Sequence, residues 1–328
     1  MLRPVSLTGL GIPETAPDDV RIGRLISLKE EEAHLTPPSL QKDAFRVCIL
    51  GFESDEGVRR NGGRVGASRA PDTIRSAFYR MTPDPQDNDA FKTLMAKTID
   101  FGNLPANALE LSDAQQKLGI VAATLLRNNV IPVVIGGGHE TSFGHFLGYA
   151  EAGIPVSIIN WDAHADVRPL KNGLPHSGSP FYQALEHKSG MLRAYTVAGL
   201  KRQSTAKSHL DYLHQKMTEG RAKWFFKGEL NKRMMGNLYD RQKGAIMVTM
   251  DMDALSQHIA PGVSAPNPDG IPLDLWLHAA YCAGKHPRVR SFDLTELNPA
   301  FDTDGHTARV AALTLWTFFK GLSERSTA

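Results

Sequence analysis

The strongest constraint on the fold is a rhythm in which short apolar or β-branched runs alternate with longer amphipathic segments. Near-continuous apolar runs separated by helical patterns are typical of strands that are buried on both faces of a parallel sheet. Eight candidate strands follow this pattern, at residues 45–52, 97–101, 131–135, 154–161, 194–200, 223–226, 245–251 and 289–294. The sequence therefore predicts one large open α/β domain rather than two small ones.

The segments between the apolar runs carry helix start signals. Ser112 and Asp113 precede one helical pattern, and Pro272 opens another, since proline is tolerated in the first helical turn. A last, nearly all-apolar helix is expected at residues 307–322. These helices would cover the faces of the sheet.

The domain organisation follows from where the rhythm begins. Residues 1–43 are rich in Pro, Gly and charge and show no sustained period, so we expect an irregular N-terminal lead-in. Residues 44–328 contain no linker and no internal repeat. We therefore expect them to form a single catalytic domain.

Charge, hydropathy and cysteine usage exclude several classes of protein. A net charge of +2 gives no excess that would suit nucleic acid, and no run of apolar residues is long enough to span a membrane. The N-terminus forms no signal-peptide core, and Cys48 and Cys282 lie far apart, which fits a reducing compartment. We expect a cytoplasmic protein with a small-molecule substrate and no nucleic-acid or membrane partner; homo-oligomerisation is left open.

Polar motifs follow four of the predicted strands. In open α/β sheets, ligands bind beyond the carboxyl ends of the strands, so these motifs mark the candidate site. They are GGGHE at residues 136–140, DAHAD at 162–166, DMD at 251–253 and ELNP at 296–299. Alone, each motif is commonplace, and no Gly-Lys-Ser/Thr follows the glycines as a phosphate loop requires. Their combination at strand ends indicates a single site.

The acidic and histidine residues of three motifs predict a metal centre. If each motif continues its strand, residues two apart share one face, so the side chains converge. Carboxylates buried together are unfavourable unless cations neutralise them. The candidate ligands are His139, Asp162, His164, Asp166, Asp251 and Asp253. This oxygen-rich set without thiolate suits two Mn²⁺ ions, and the reaction class would be metal-activated hydrolysis.

The three metal motifs together resemble those of the ureohydrolase family of arginases, agmatinases and formimidoylglutamases. A Pro-Gly loop at residues 261–266, after the third motif, strengthens the resemblance. It implies a three-layer sandwich around a parallel sheet of about eight strands, and a dimanganese centre. One ion would be held by His139, Asp162, Asp166 and Asp251, and the other by His164, Asp162, Asp251 and Asp253. Asp166 would also take up the proton of the attacking hydroxide.

Local features favour the formimidoylglutamase branch of this family. Glycine rather than aspartate precedes His139, and the loop around Ser177 is similar to that branch. The resemblance implies that Arg168 binds a carboxylate of a glutamate moiety, for which a guanidinium fork is suited, together with Ser177. Glu296 would hold the cationic amidinium over the metals. The implied reaction is hydrolysis of N-formimidoyl-L-glutamate to L-glutamate and formamide, a step in histidine breakdown.

Three alternatives stay open at this point. The chain could hydrolyse a guanidino compound to urea, as agmatinases and arginases do. It could also be a non-catalytic ligand sensor of the same fold, although no expected metal ligand is missing. His176 departs from the pattern of both branches, and a one-residue shift in register would make it a catalytic proton shuttle.

Overall fold

Nine parallel strands form one sheet in the computed structural model, which describes residues 1–16, 18–29, 46–86 and 88–325. The strands are β1 (Ser27–Leu28), β2 (Val47–Phe52), β3 (Thr98–Leu104), β4 (Ile131–Ile135), β5 (Val156–Trp161), β6 (Leu192–Leu200), β7 (Ala222–Phe226), β8 (Ala245–Asp251) and β9 (Val289–Thr295). All eight predicted strands are present. The additional strand, β1, has two residues and pairs with β3 at the edge of the sheet.

Helices cover both faces of the sheet. They are α1 (Glu56–Arg60), α2 (Ala70–Phe78), α3 (Asn88–Ala96), α4 (Leu111–Arg127), α5 (Thr141–Ala152), α6 (Pro180–Leu185), α7 (Lys207–Thr218), α8 (Lys232–Asp240), α9 (Leu273–Lys285) and α10 (His306–Ser323). Successive side chains of β2 enter opposite cores: Val47 and Ile49 pack with α2 and α10, whereas Cys48 and Leu50 pack with α4. This alternation confirms the predicted three-layer α/β sandwich.

The predicted helix boundaries differ from the observed ones by a few residues. Helix α4 begins at Leu111, so Ser112 and Asp113 lie in its first turn rather than before it. Pro272 is the N-cap of α9, as its position in the sequence indicates. No helix in the described part of the chain is long and apolar enough to cross a membrane.

The described part of the N-terminal segment packs on the edge of the sheet. Arg3 forms an antiparallel bridge with Asn103 of β3, and Leu2, Val5 and Ile22 are buried against the cores. The expected boundary between residues 43 and 44 lies outside the described residues. The division into a lead-in and a catalytic domain therefore stays a prediction.

Strand order explains how distant motifs reach one place. The order across the sheet is β1-β3-β2-β4-β9-β8-β5-β6-β7. The four strands that precede the polar motifs, β4, β9, β8 and β5, are thus consecutive neighbours near its centre. Because all the strands are parallel, their carboxyl ends open at the same edge, where the four motifs meet.

Candidate metal centre and active site

Tight turns, not continued strands, bring the acidic residues together. Strand β5 ends before Asp162, whose Oδ1 accepts a hydrogen bond from the His164 amide at 2.6 Å. Strand β8 ends at Asp251, whose Oδ1 accepts one from the Asp253 amide at 2.8 Å. The expectation that the motifs extend their strands is wrong, since an aspartate that bonds the amide two residues on turns the backbone instead. The side chains nevertheless converge.

Two acidic residues of the site adopt the left-handed backbone conformation that favours glycine. Asp166 has φ of 47° and Glu296 has φ of 68°. Such conformations are unfavourable for other residues and persist where the surroundings enforce them, often at functional sites. The Asp166 carbonyl accepts from the Phe181 amide at 3.1 Å, and the Glu296 amide donates to the Gly137 carbonyl at 2.8 Å. Backbone hydrogen bonds thus hold both residues in this conformation.

All six sequence-predicted ligands lie in one cluster. His139 Nδ1 is 2.9 Å from Asp166 Oδ2, 3.0 Å from Asp251 Oδ2 and 3.2 Å from Asp162 Oδ2. On the other side, His164 Nδ1 is 3.2 Å from Asp253 Oδ2 and 3.6 Å from Asp162 Oδ1. Potential ligand atoms therefore form two groups that share Asp162, each within 4.8 Å. Asp251, predicted as a second bridge, is grouped with the His139 set alone.

The electrostatics of the cluster fit divalent cations. Burial raises the pKa of Asp251 well above its usual range, and the charges of Asp253 and Asp162 raise it further. Burial likewise raises the pKa of Glu296, again with help from Asp251 and Asp253. The buried Oδ1 of Asp253 finds no hydrogen-bond partner among the described residues. Buried, mutually repelling carboxylates with an unpaired oxygen are what bound cations neutralise, and the oxygen and imidazole donors suit Mn²⁺.

A cavity of about 290 Å³ opens beside the cluster. Its lining joins candidate ligands, among them His164 and Asp166, to residues of four loops. The loop residues are Asn61, Gly62 and Gly63 after α1, Arg168 and Ser177 after β5, Ser264 and Ala265 after β8, and Glu296 after β9. Glu296 Oε1 accepts from the His139 amide at 2.8 Å, while its buried Oε2 has no partner among the described residues. The cavity thus faces an unsatisfied acceptor.

Asn61, whose position in the sequence does not indicate a role, forms hydrogen bonds with both Arg168 and Ser177. Asn61 Oδ1 accepts from Arg168 Nη1 at 2.8 Å, and Asn61 Nδ2 donates to Ser177 Oγ at 3.1 Å. The asparagine lies in the turn after α1, between Arg60 and two glycines. Its position in sequence gives no sign of this contact, because the partners are more than 100 residues away.

The imidazole ring of His176 forms hydrogen bonds within its own loop. Its Nδ1 accepts from the Gly178 amide at 3.1 Å, and its Nε2 donates to the Pro169 carbonyl at 3.1 Å. Burial lowers the pKa of the imidazole. Since both ring nitrogens serve the backbone and the residue does not line the cavity, the geometry favours a loop-shaping role over the predicted proton shuttle.

Glu140 is a second residue whose position in the sequence does not indicate its role. It is fully buried, and its Oε1 accepts from Ser54 Oγ at 2.9 Å and from the Gly57 amide at 3.0 Å. Burial raises its pKa to about 7. These contacts tie the turn that presents His139 to the loop and helix that follow β2.

Comparison with known proteins gives one consistent result. The arginase family model matches residues 45–320. A formimidoylglutamase of Lysinibacillus sphaericus is 35% identical over 281 residues, covering 82% of this chain and 83% of that protein. One of Klebsiella pneumoniae is 32% identical over 311 residues, 92% of each. A crystal structure of Trypanosoma cruzi formiminoglutamase with Mn²⁺ has a TM-score of 0.81 at 28% identity, covering 94% of this chain and 100% of that one.

Proposed function

Because the chain belongs to the arginase family, we propose that it is a manganese-dependent hydrolase of N-formimidoyl-L-glutamate, releasing L-glutamate and formamide. The observation that carries this proposal is a guanidinium, that of Arg168, in the wall of the same cavity as the six-residue cluster. A cation there suits a substrate with a free carboxylate at the end remote from the reacting carbon. Formimidoylglutamases at 32–35% identity to this chain support the proposal.

The donor groups divide between two metal positions. His139, Asp162, Asp166 and Asp251 would hold one ion, and Asp162, His164 and Asp253 the other. That Asp251 also reaches the second ion stays a prediction from the sequence. When bound, such a pair of divalent cations lowers the pKa of water and so supplies a nucleophile at neutral pH. The Mn²⁺ in the related Trypanosoma cruzi structure supports the choice of metal.

Glu296 is suited to hold the reacting end of the substrate. Its Oε1 is fixed by the His139 amide, which leaves the unpaired Oε2 for an N–H of the amidinium group. Burial makes an ionised Glu296 unfavourable in the free protein. A cationic amidinium beside Oε2 would offset that cost through a charge-assisted hydrogen bond. This contact places the amidinium carbon beside the carboxylate cluster.

Asp166 is suited to move the proton. It contacts His139 and lines the cavity, so one carboxylate oxygen can face the reacting atoms. In the hydrolysis, the oxygen of water bonds to the amidine carbon and the bond from that carbon to the glutamate nitrogen breaks. Asp166 takes the proton that water loses and passes it to the departing nitrogen, which leaves as the amine of glutamate.

Arg168 and Ser177 would bind the glutamate end. The guanidinium can offer a forked pair of N–H donors to a carboxylate, while Asn61 holds its Nη1. Arginine is chemically distinct from lysine in this role, since its planar fork matches both carboxylate oxygens. The metal ligands and Arg168 thus recognise opposite ends of one small molecule.

We also propose a cytoplasmic location and a role in histidine degradation, the process that supplies this substrate. Cys48 and Cys282 are both free thiols, which fits a reducing compartment. Homo-oligomerisation stays a prediction from the sequence.

The substrate is tested by assaying the manganese-loaded protein against formimidoylglutamate, arginine, agmatine and guanidinobutyrate. We expect glutamate and formamide from the first compound and little urea from the other three. Urea release from a guanidino compound, without glutamate from formimidoylglutamate, would contradict the proposal and favour an agmatinase-like or arginase-like activity. An absence of turnover on all four would favour a ligand sensor.

A further inference from the structure

A row of polar side chains lies in the core one step beneath the candidate ligands. Asn160 of β5, Thr249 of β8 and Asp293 of β9 are in register across the three strands. Thr249 precedes Asp251 by two residues within β8, so both point to the same face. Asn160 lies beneath Asp162, to whose Oδ2 its Nδ2 donates at 3.0 Å. All three side chains of the row are fully buried. Polar groups that are fully buried need hydrogen-bond partners.

A continuous chain of hydrogen bonds joins His139, a candidate ligand, to Asp293 through the hydroxyls of Thr249 and Ser142. His139 Nε2 is 3.0 Å from Thr249 Oγ1, which is 3.0 Å from Ser142 Oγ. Ser142 Oγ donates to Asp293 Oδ1 at 3.1 Å. The second carboxylate oxygen, Oδ2, lies 2.6 Å from Nδ1 of His145, a residue of α5. The chain therefore runs from the metal cluster to a carboxylate held in the sheet.

The Asp293 carboxylate at the end of this chain of hydrogen bonds determines which atom donates in each of them. The oxygens of the Asp293 carboxylate accept hydrogen bonds, so the single hydroxyl hydrogen of Ser142 is committed to Oδ1. Ser142 must then accept from Thr249, whose own hydrogen is used in that bond. Thr249 can in turn only accept from His139, so Nε2 of that ring carries the hydrogen.

These hydrogen bonds also determine the state of Nδ1, the other ring nitrogen of His139. In a neutral ring, which a metal ligand must be, the hydrogen on Nε2 leaves the lone pair on Nδ1, the atom that lies 2.9–3.2 Å from Asp166, Asp251 and Asp162. A histidine binds a metal through the nitrogen that bears the lone pair, and its other ring nitrogen usually donates to an acceptor that orients it. Here Nε2 of His139 donates to the Thr249 hydroxyl, and the Asp293 carboxylate orients that hydroxyl through Ser142.

We propose that Asp293 is a positioning residue for the metal centre, which it orients through Ser142, Thr249 and the His139 ring. This inference rests on the proposed function, because it assumes that His139 is a metal ligand. Asp293 touches neither the cluster nor the cavity. Its effect is on metal affinity, since it selects the His139 tautomer and holds the ring plane.

The test measures Mn²⁺ affinity of the full-length protein, for example from the free-ion signal in electron paramagnetic resonance. Thr249→Val removes the hydroxyl with little change of shape, and we expect binding weaker by about 10- to 100-fold. Thr249→Ser keeps the hydroxyl and should restore affinity. The matched control is Thr314→Val: Thr314 is also fully buried and hydrogen-bonded, accepting from Trp276 Nε1 at 2.8 Å, but it lies in α10 away from the cluster.

A double-mutant comparison assigns the effect to Asp293. Asp293→Asn alone should weaken Mn²⁺ binding, because the amide can donate to Ser142 and reverse the chain. In the Thr249→Val background, where the chain is already cut, the same change should add little. Ser142→Ala, a smaller perturbation, replaces Thr249→Val if that variant does not fold.

Additive losses, or equal affinity in Thr249→Val and Thr314→Val, would overturn the inference. Neither result depends on which substrate is cleaved. If the wild type turns over no formimidoylglutamate while these affinities follow the expected order, the substrate proposal fails and the positioning role stands.

Discussion

The guanidinium of Arg168 donates to the side-chain carbonyl of Asn61, with 2.8 Å between Nη1 and Oδ1. The amide of the same asparagine donates to Ser177 at 3.1 Å. One short side chain thereby fixes the relative positions of two loops that line the cavity. In the proposed function those loops bind the glutamate end of the substrate, so the contact sets where that end sits relative to the metal ligands.

Replacement of Arg168 by asparagine tests the carboxylate contact. Loss of hydrogen bonds to a charged group is worth about 1.5–3 kcal/mol, or roughly 10- to 150-fold in kcat/KM on formimidoylglutamate. We expect KM to carry most of the change, because this contact is remote from the reacting carbon. Steady-state kinetics with Arg59→Asn as control, which removes an exposed guanidinium of α1, checks the prediction. Unchanged kinetics in Arg168→Asn would show that another group binds the carboxylate.

Asn61→Ala tests the positioning of Arg168. The guanidinium stays in the cavity but loses one hydrogen bond that orients it. We expect KM to rise by roughly 2- to 12-fold, or about 0.5–1.5 kcal/mol, because the substrate contact itself is kept and only its orientation is weakened. The effect should vanish when Arg168→Asn is already present, since both changes act on one contact. The exposed Asn237 of α8 provides the control variant Asn237→Ala. Independent, additive losses would argue that Asn61 contacts the substrate itself.

Glu296→Gln removes the charge proposed to face the amidinium while keeping an oxygen for the His139 amide. We expect kcat/KM to fall by about 10²- to 10³-fold, as for other single groups that stabilise charge in a reaction. The variant should remain folded, because burial and the nearby Asp251 charge already make an ionised Glu296 unfavourable. Circular dichroism checks the fold, and kinetics checks the activity. Activity within about threefold of wild type would remove Glu296 from the mechanism.

The stabilisation that manganese confers should grow with pH. Burial raises the folded-state pKa of Asp251 and Glu296 above their unfolded values. Protonation therefore stabilises the metal-free fold at low pH, and this stability is lost as pH rises through the raised values. In Asp162, hydrogen bonds from His139 and His164 outweigh burial and lower the pKa, so its contribution disappears only as pH falls below its ordinary value of 3.8.

Thermal unfolding at about pH 6 and about pH 8.5, with chelator or with Mn²⁺, measures this dependence. The free energy of unfolding of the metal-free protein should fall between the two pH values, and the rise in Tm on adding Mn²⁺ should be larger at the higher one. Proton release on metal binding acts in the same direction. A larger Tm gain at the lower pH would contradict the account of the cluster.

The apolar runs predicted the sheet well because its strands are buried on both faces. Strand β2, for example, is buried along its whole length, so every residue of the run is apolar or glycine. Strand β1 carries no such signal, because its two residues are not buried. That the candidate ligands lie together could be predicted from motifs at strand ends. The geometry inferred for them was wrong, since turns at Asp162 and Asp251, not strand pleating, make the side chains converge.

Contacts between distant segments could not be predicted. The chain gives no local sign that Asn61 reaches Arg168 or that Asp293 lies beneath His139, since each depends on the order of strands in the sheet. For His176, the sequence instead suggested a role that the geometry does not favour. Its sequence position beside Ser177 suggested proton transfer, but the ring bonds to the backbone on either side of it.

The most direct test of the central claim is a manganese titration of the metal-free protein, with glutamate release from formimidoylglutamate as the signal. The account predicts no activity without metal and activity that rises until two Mn²⁺ are bound per chain. Glutamate release that is unaffected by chelation, or no release at any manganese content while a guanidino compound yields urea, would contradict it.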